Sequence, residues 1–265
     1  MSERLTLEEI REFWTRQAIE HGGAPAASWS DVHAIDLEVR QLVARLQDGD
    51  RVLDVGCANG YSTLQYAAAR RVNVRGLDYI PGMVAEARRR LAELSGRLAG
   101  EASFEVGDIT ALAEPDAAYD KVVVVRVLIN LADFARQVTA LKECARVLRP
   151  GGLLLLSEAT LQGWRRMNAF RADWGLTEIP MPGFNTYLDE EAVVEAARPE
   201  LELLEIANFA STYFVLTRVL KPLLAKVAPT VDVADPASNF NRWAASLPAA
   251  GDYGTQKMFV FRRAG

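Results

Sequence analysis

Between Arg51 and Ser157 the sequence alternates short apolar runs with amphipathic stretches, and few folds accommodate that rhythm. The runs are Arg51 to Gly56, Val72 to Asp78, Ser103 to Gly107, Tyr119 to Val127, which carries four consecutive valines, and Leu153 to Ser157. Helical patterns separate them: Gly60 to Arg70, Pro81 to Leu94 with Pro81 suited to a first turn, and Asp133 to Leu148, stopped by Arg149-Pro150-Gly151-Gly152. Strand–helix alternation means a mostly parallel sheet covered on both faces, and near-continuous valine and leucine runs fit strands buried on both sides. The fold class is therefore α/β, Rossmann-like.

The flanks read differently. Thr6 and Glu9 form a capping box at the head of a helix reaching residue 20, and HGGAPAAS, 21–28, is a linker. A second helix, capped by Ser30 or Asp31, carries Ile35, Val39, Leu42, Val43 and Leu46 on one face. After Glu158 come a helix over Leu161 to Leu176, a proline-punctuated loop 179–187, a short helix Glu190 to Ala197, and strands over Leu201 to Phe209 and Lys257 to Arg262. The expected organisation is an N-terminal helical lid, 1–47, and a core, 48–265. Within the core, 161–188 and 211–254 are additions on the substrate side.

Composition closes off several function classes. Thirty basic against 35 acidic residues leave a net charge of −5, which argues against sequence-independent nucleic-acid binding. Two cysteines, Cys57 and Cys144, and two histidines, His21 and His33, make neither a disulfide framework nor a metal site. No apolar run is long enough to span a bilayer, and the acidic, helix-like start lacks a signal-peptide pattern; a cytoplasmic location is expected.

The first strand runs into Asp54-Val55-Gly56-Cys57-Ala58-Asn59-Gly60. A strand, a glycine turn and a helix N-terminus make a cradle that backbone N–H groups line. It departs from the dinucleotide pattern GxGxxG, since Ala58 holds the middle position and no third glycine follows in place. Asp54 would repel a pyrophosphate and suits an ammonium group. At the end of the second strand Asp78 can accept both hydroxyls of a ribose, and Tyr79 and Ile80 can lie against a base; Met83 in the following helix is grouped with them. At the third strand's end Asp108 can accept from the exocyclic amine of adenine while the Ile109 N–H meets a ring nitrogen. Any one aspartate after a strand can be a helix cap. Three at successive strand ends, beside a glycine turn, describe an adenosine that carries an amino acid and no phosphate.

Over about residues 51 to 158 the sequence resembles the class I S-adenosylmethionine-dependent methyltransferases of small-molecule type. The resemblance rests on VLDVGCANG, GLDYIPGMVAEAR, FEVGDIT, YDKVVVVRVLINL and ECARVLRPGGLLLLSE. It implies strand order 3-2-1-4-5-7-6 with the seventh strand, Lys257 to Arg262, antiparallel, and S-adenosylmethionine as cofactor. Ala58 stands where the family commonly has glycine. The fourth strand lacks the Asn/Asp-Pro-Pro-aromatic signature of enzymes that methylate bases in nucleic acid.

Further candidates follow from position. Arg126, a charge closing a valine run, is placed near the methionine moiety or the acceptor as a cofactor or catalytic contact, with Asn130 in the same pocket. His33 is a candidate general base on a helix ahead of the first strand, against the alternative of a packed or exposed histidine. Tyr61, Tyr187 and Tyr213 are alternative proton acceptors or positioners. Trp14, Trp29, Trp164 and Trp174 lie in segments flanking the pocket, where they can wall an acceptor or simply pack. The expected activity is metal-independent, in-line transfer of a methyl group from S-adenosylmethionine to a small molecule, a sugar or natural product being preferred. A nicotinamide-dependent oxidoreductase and a non-catalytic cofactor-binding partner are the alternatives.

Overall fold

A computed structural model of the chain describes residues 5–94, 96–228, 230 and 232–265; residues 1–4 of the expected lid and 229 and 231 of the expected insertion lie outside it. Seven strands, β1 (Arg51–Val55), β2 (Asn73–Asp78), β3 (Glu101–Val106), β4 (Tyr119–Val125), β5 (Leu148–Ala159), β6 (Leu201–Ala207) and β7 (Gln256–Arg263), form one sheet. Their order is β3-β2-β1-β4-β5-β7-β6. Strands β1 to β5 run parallel, and β7 lies antiparallel to both β5 and β6, as the resemblance implied. Strand β5 begins earlier than expected because Leu148 already pairs with Tyr119 before the register shifts.

The valine run of β4 shows how the sheet is covered. Successive side chains point to opposite faces. Val122 and Val124 join Leu53, Phe259 and Phe261 beneath helices α5 (Phe134–Val147) and α7 (Glu190–Ala197). Val123 joins Val52, Val74, Leu155 and Val260 on the other face, beneath α2 (Val32–Arg45) and α3 (Tyr61–Ala69). Helix α1 (Leu7–His21) lies against α4 (Pro81–Glu93) through Ala18, Ile80 and Met83.

The second helix packs on the sheet itself. Ile35, Val39, Leu42 and Leu46 of the second helix are buried in the same cluster as the sheet. Burying four such side chains contributes on the order of 6–12 kcal/mol, far too much for a helix that opens and closes. Helix α2 is thus a fixed layer of the core, and only the chain ahead of it lies over the strand ends. The segment after β5 begins with α6 (Leu161–Asp173). Residues 211–254 start with α8 (Ser211–Val215), pass through a π-turn at Leu216–Leu220 into α9 (Lys221–Val227), and end with α10 (Asn239–Ala244). Tyr213 Oη and Arg218 both donate to the Asp31 carboxylate, at 2.5 and 2.7 Å, and so bind this insertion to the start of α2. Buried Lys221 holds the insertion together from within, donating to the Asp235 carbonyl, Ser238 Oγ and Asn241 Oδ1.

Candidate cofactor and acceptor site

A cavity of about 520 Å³ opens at the carboxyl edge of the sheet, above the ends of β1, β2 and β4. Its floor is the turn after β1. Gly56 has φ 82°, and a Cβ there would sit 2.1 Å from Val127 Cγ2, so only glycine lets the turn pass beneath β4. Ala58 also adopts positive φ, 47°; its methyl group departs from the family's glycine without blocking the turn. Gly60 is needed for a different reason. At φ 74° it packs on Phe104 and Ala87 beneath the start of α3, and it does not line the cavity.

Asp78 organises the turn. Its Oδ2 accepts from Ala58 N at 2.9 Å and its Oδ1 from Ile80 N at 2.8 Å. Burial pushes its pKa up to about 6 against the pull of those two N–H groups. Asp54 is buried too; its Oδ2 accepts from Thr63 Oγ1 at 2.5 Å, and burial pushes its pKa up to about 7. Asp108 bonds Thr110 through Oδ1 alone. Asp54 Oδ1 and Asp108 Oδ2 have no hydrogen-bond partner among the described residues, and both residues line the cavity. Beside Asp54, the phenol of Tyr66 lines the same cavity with a buried Oη that has no hydrogen-bond partner within geometric limits among the described residues. An ionisable acid near neutrality and an orphaned hydroxyl together call for an ammonium and its carboxylate; Asp78 and Asp108 call for hydroxyls and an amine. The residues present therefore fit an adenosyl amino acid, with Ile80, Met83 and Ile109 as the apolar walls.

A family model described as a methyltransferase domain matches residues 52–152. The chain carries, over those residues, a domain of the class I S-adenosylmethionine-dependent methyltransferases. Within this family it is 36% identical over 118 residues to 27-O-demethylrifamycin SV methyltransferase of Amycolatopsis mediterranei, over 44% of this chain and 41% of that protein. The aligned part is thus well under half of that relative's length. It is 28% identical over 234 residues to methyltransferase GfsG of Streptomyces halstedii, over 84% and 79% of the two chains. Its fold matches that of magnesium protoporphyrin IX methyltransferase from Synechocystis PCC 6803, solved with bound S-adenosylhomocysteine, at a TM-score of 0.63 and 16% identity over 97% and 99% of the chains.

The rest of the cavity is aromatic and basic. Trp14, Trp29, Trp164, Asn130 and Tyr187 line it. Trp14 Nε1 donates to Asn130 Oδ1 at 3.2 Å, and Phe184 stacks on Phe13 at 4.4 Å, so α1 meets the segment after α6 over the cavity. Arg126 lines it as well, from a left-handed position, φ 54°. Its guanidinium pairs with buried Glu38 of α2 and lies 5.0 Å over the Trp29 ring. Glu158, at the end of β5, accepts from the N–H groups of Val127 and Leu128 at 2.7 and 2.8 Å and from Ile129 at 3.4 Å. Burial pushes its pKa up to about 8 against those donors, and it fixes the chain that follows Arg126.

Other candidates stand elsewhere. His33 does not line the cavity, and its buried Nε2 has no hydrogen-bond partner among the described residues. Tyr213, in the insertion, donates to Asp31 at the start of α2, and Trp174 is exposed on the surface. Asn59 lines the cavity, but its amide donates to the carbonyls of Gly22 and Ala24 at 2.9 and 2.8 Å, so it anchors the linker after α1. Burial pushes the Cys57 thiol well up, which leaves it un-ionised and inert. Tyr66, Glu38, Glu158 and Arg218 were not anticipated. Each takes its meaning from partners distant in the chain, apart from Tyr66, which reads in sequence as a helix packing residue.

Proposed function

We propose that this chain moves a methyl group from S-adenosylmethionine to a small-molecule acceptor by in-line displacement that needs no metal. The observation that carries the reading is the row of Asp54, Asp78 and Asp108 at one end of a single cavity, with the orphaned Tyr66 hydroxyl beside the first. The cofactor supplies a methyl carbon already activated by its sulfonium. Asp78 and Asp108 orient the adenosine end; Asp54 and Tyr66 hold the amino-acid end. Glu158 and Arg126 shape the wall across which the acceptor approaches. Alignment of the two reactants supplies most of the rate in such a transfer, and the contact between α1 and Phe184 keeps water out. Among acceptors, the aromatic lining and the likeness to a rifamycin methyltransferase support a natural product over a sugar.

The test is incubation of the purified protein with methyl-labelled S-adenosylmethionine and a panel of hydroxylated aromatic and macrocyclic acceptors. Label in an extractable product, lost in Asp78→Ala, supports the reading. Tight S-adenosylhomocysteine binding with no labelled product across the panel and a cell extract would favour a cofactor-binding partner without catalysis.

A further inference from the structure

Of the four arginines that line the cavity, Arg11, Arg126, Arg136 and Arg218, the second and the last are placed there by uncommon backbone. Arg126 stands at the end of β4 with φ 54°, a left-handed value that non-glycine residues seldom adopt. Arg218 stands in the π-turn that interrupts the helix of the insertion; such turns recur at functional sites. Both side chains contact the stretch from Trp29 to Glu38. Arg126 pairs with Glu38 and covers Trp29, while Arg218 donates to Asp31 at 2.7 Å and lies 5.5 Å over Phe214.

Their partners are behind them. Asp31 and Glu38 are each 1% exposed and do not line the cavity, whereas both arginines do. Each guanidinium carries five N–H donors. Among the described residues Arg126 and Arg218 each spend one nitrogen on a side-chain acceptor. No lysine, histidine or glutamate is among the described lining residues, and the lining aspartates are those of the cofactor end. The charge offered to an acceptor is therefore guanidinium, set among Trp29, Trp164, Phe184 and Phe214. Forked donors of this kind match a carboxylate, and aromatic walls match an apolar body.

We propose that the acceptor is a carboxylate-bearing small molecule with an aromatic or other apolar body, whose carboxylate is received by Arg126 and Arg218 beneath the Trp29–Asp31 segment. The proposal rests on the methyl-transfer reading of the cavity. It disfavours amines as acceptors, since guanidinium groups offer only N–H donors and no acceptor to an ammonium.

The test uses matched probes: trans-cinnamate and 2-naphthoate, each against the alcohol and the amine of the same skeleton. Thermal shift and calorimetry are read on the full chain with and without S-adenosylhomocysteine. The acids should raise the melting temperature of the S-adenosylhomocysteine-loaded protein by roughly 2–5 °C at saturating probe, and the alcohols and amines should leave it unchanged. Arg126→Gln should abolish the acid shift. So should Arg218→Gln made together with Asp31→Asn, which removes both charges of that buried pair and keeps the fold from carrying an unpaired one. Arg218→Lys, which keeps the charge and loses the fork, should retain less than half of the shift. Equal stabilisation by acid, alcohol and amine, stabilisation by none of them, or an acid shift that survives the variants overturns the proposal. An acid shift in a protein that does not bind S-adenosylhomocysteine would keep the anion site and remove the methyltransferase reading instead.

Discussion

Replacing Asp78 by alanine removes the group around which the cofactor end is assembled. In the native chain each of its oxygens takes one backbone N–H, from Ala58 at 2.9 Å and from Ile80 at 2.8 Å. Each keeps lone pairs free for a hydroxyl. Hydrogen bonds to a charged group contribute about 1.5–3 kcal/mol each. Losing two to a ribose costs about 3 kcal/mol at the low end, roughly a hundredfold in Kd at 1.4 kcal/mol per decade. The fold pays less. Two N–H groups at the cavity floor lose an acceptor at about 1 kcal/mol each, offset by release of a buried charge whose pKa is pushed up to about 6. The melting temperature should therefore fall by no more than roughly 4–8 °C. Calorimetric titration with S-adenosylhomocysteine at pH 7.5, beside thermal denaturation of the same sample, separates the two effects. An unchanged Kd in a folded variant would refute the assignment of Asp78 to the cofactor.

Three further perturbations follow from the same geometry. Gly56→Ala places a methyl group 2.1 Å from Val127 Cγ2 at φ 82°; backbone strain of about 1–2 kcal/mol and overpacking of about 1–3 kcal/mol should weaken cofactor binding at least tenfold, and a neutral result by calorimetry would contradict the close approach. Asp54 and Asp78, pushed up by burial to about 7 and about 6, hold protons in the folded chain that the unfolded chain releases near pH 4; stability of the ligand-free protein should fall as pH rises from about 4 to 7. S-adenosylhomocysteine affinity should move the other way, weakening up to tenfold per pH unit below about 7 as Asp54 protonates, and a flat binding profile from pH 5.5 to 8 would count against Asp54 as the ammonium partner. Deleting residues 1–28 removes Trp14 from the wall and leaves the Asn59 amide without the Gly22 and Ala24 carbonyls; the remaining core should fold but lose turnover and at least tenfold in cofactor affinity, and full activity in the truncated protein would rule out a covering role.

The alternating segment was readable because its strands are apolar on both faces and its helices on one, a pattern that physics ties to a covered parallel sheet. The three aspartates were readable because a parallel sheet brings successive strand ends to one edge. The packing of helix α2 on the sheet was not readable, for want of any local difference from a covering helix. An apolar stripe such as Ile35, Val39, Leu42 and Leu46 looks the same whether it covers a cavity or a sheet. Glu38 within that stripe was the available clue, since a buried acid needs a partner, but the partner, Arg126, stands 88 positions away. Arg218 was hidden for the same reason, its anchor Asp31 lying 187 positions off. The orphaned Tyr66 hydroxyl is a property of packing alone.

The central claim is that the cavity at the strand ends is built for an adenosyl amino acid. Calorimetry of the full chain against S-adenosylhomocysteine and against NAD tests it most directly. The account predicts one S-adenosylhomocysteine per chain and no heat from NAD, because the Asp54 carboxylate lining the cavity would repel a pyrophosphate. Binding of NAD with no binding of S-adenosylhomocysteine would contradict it.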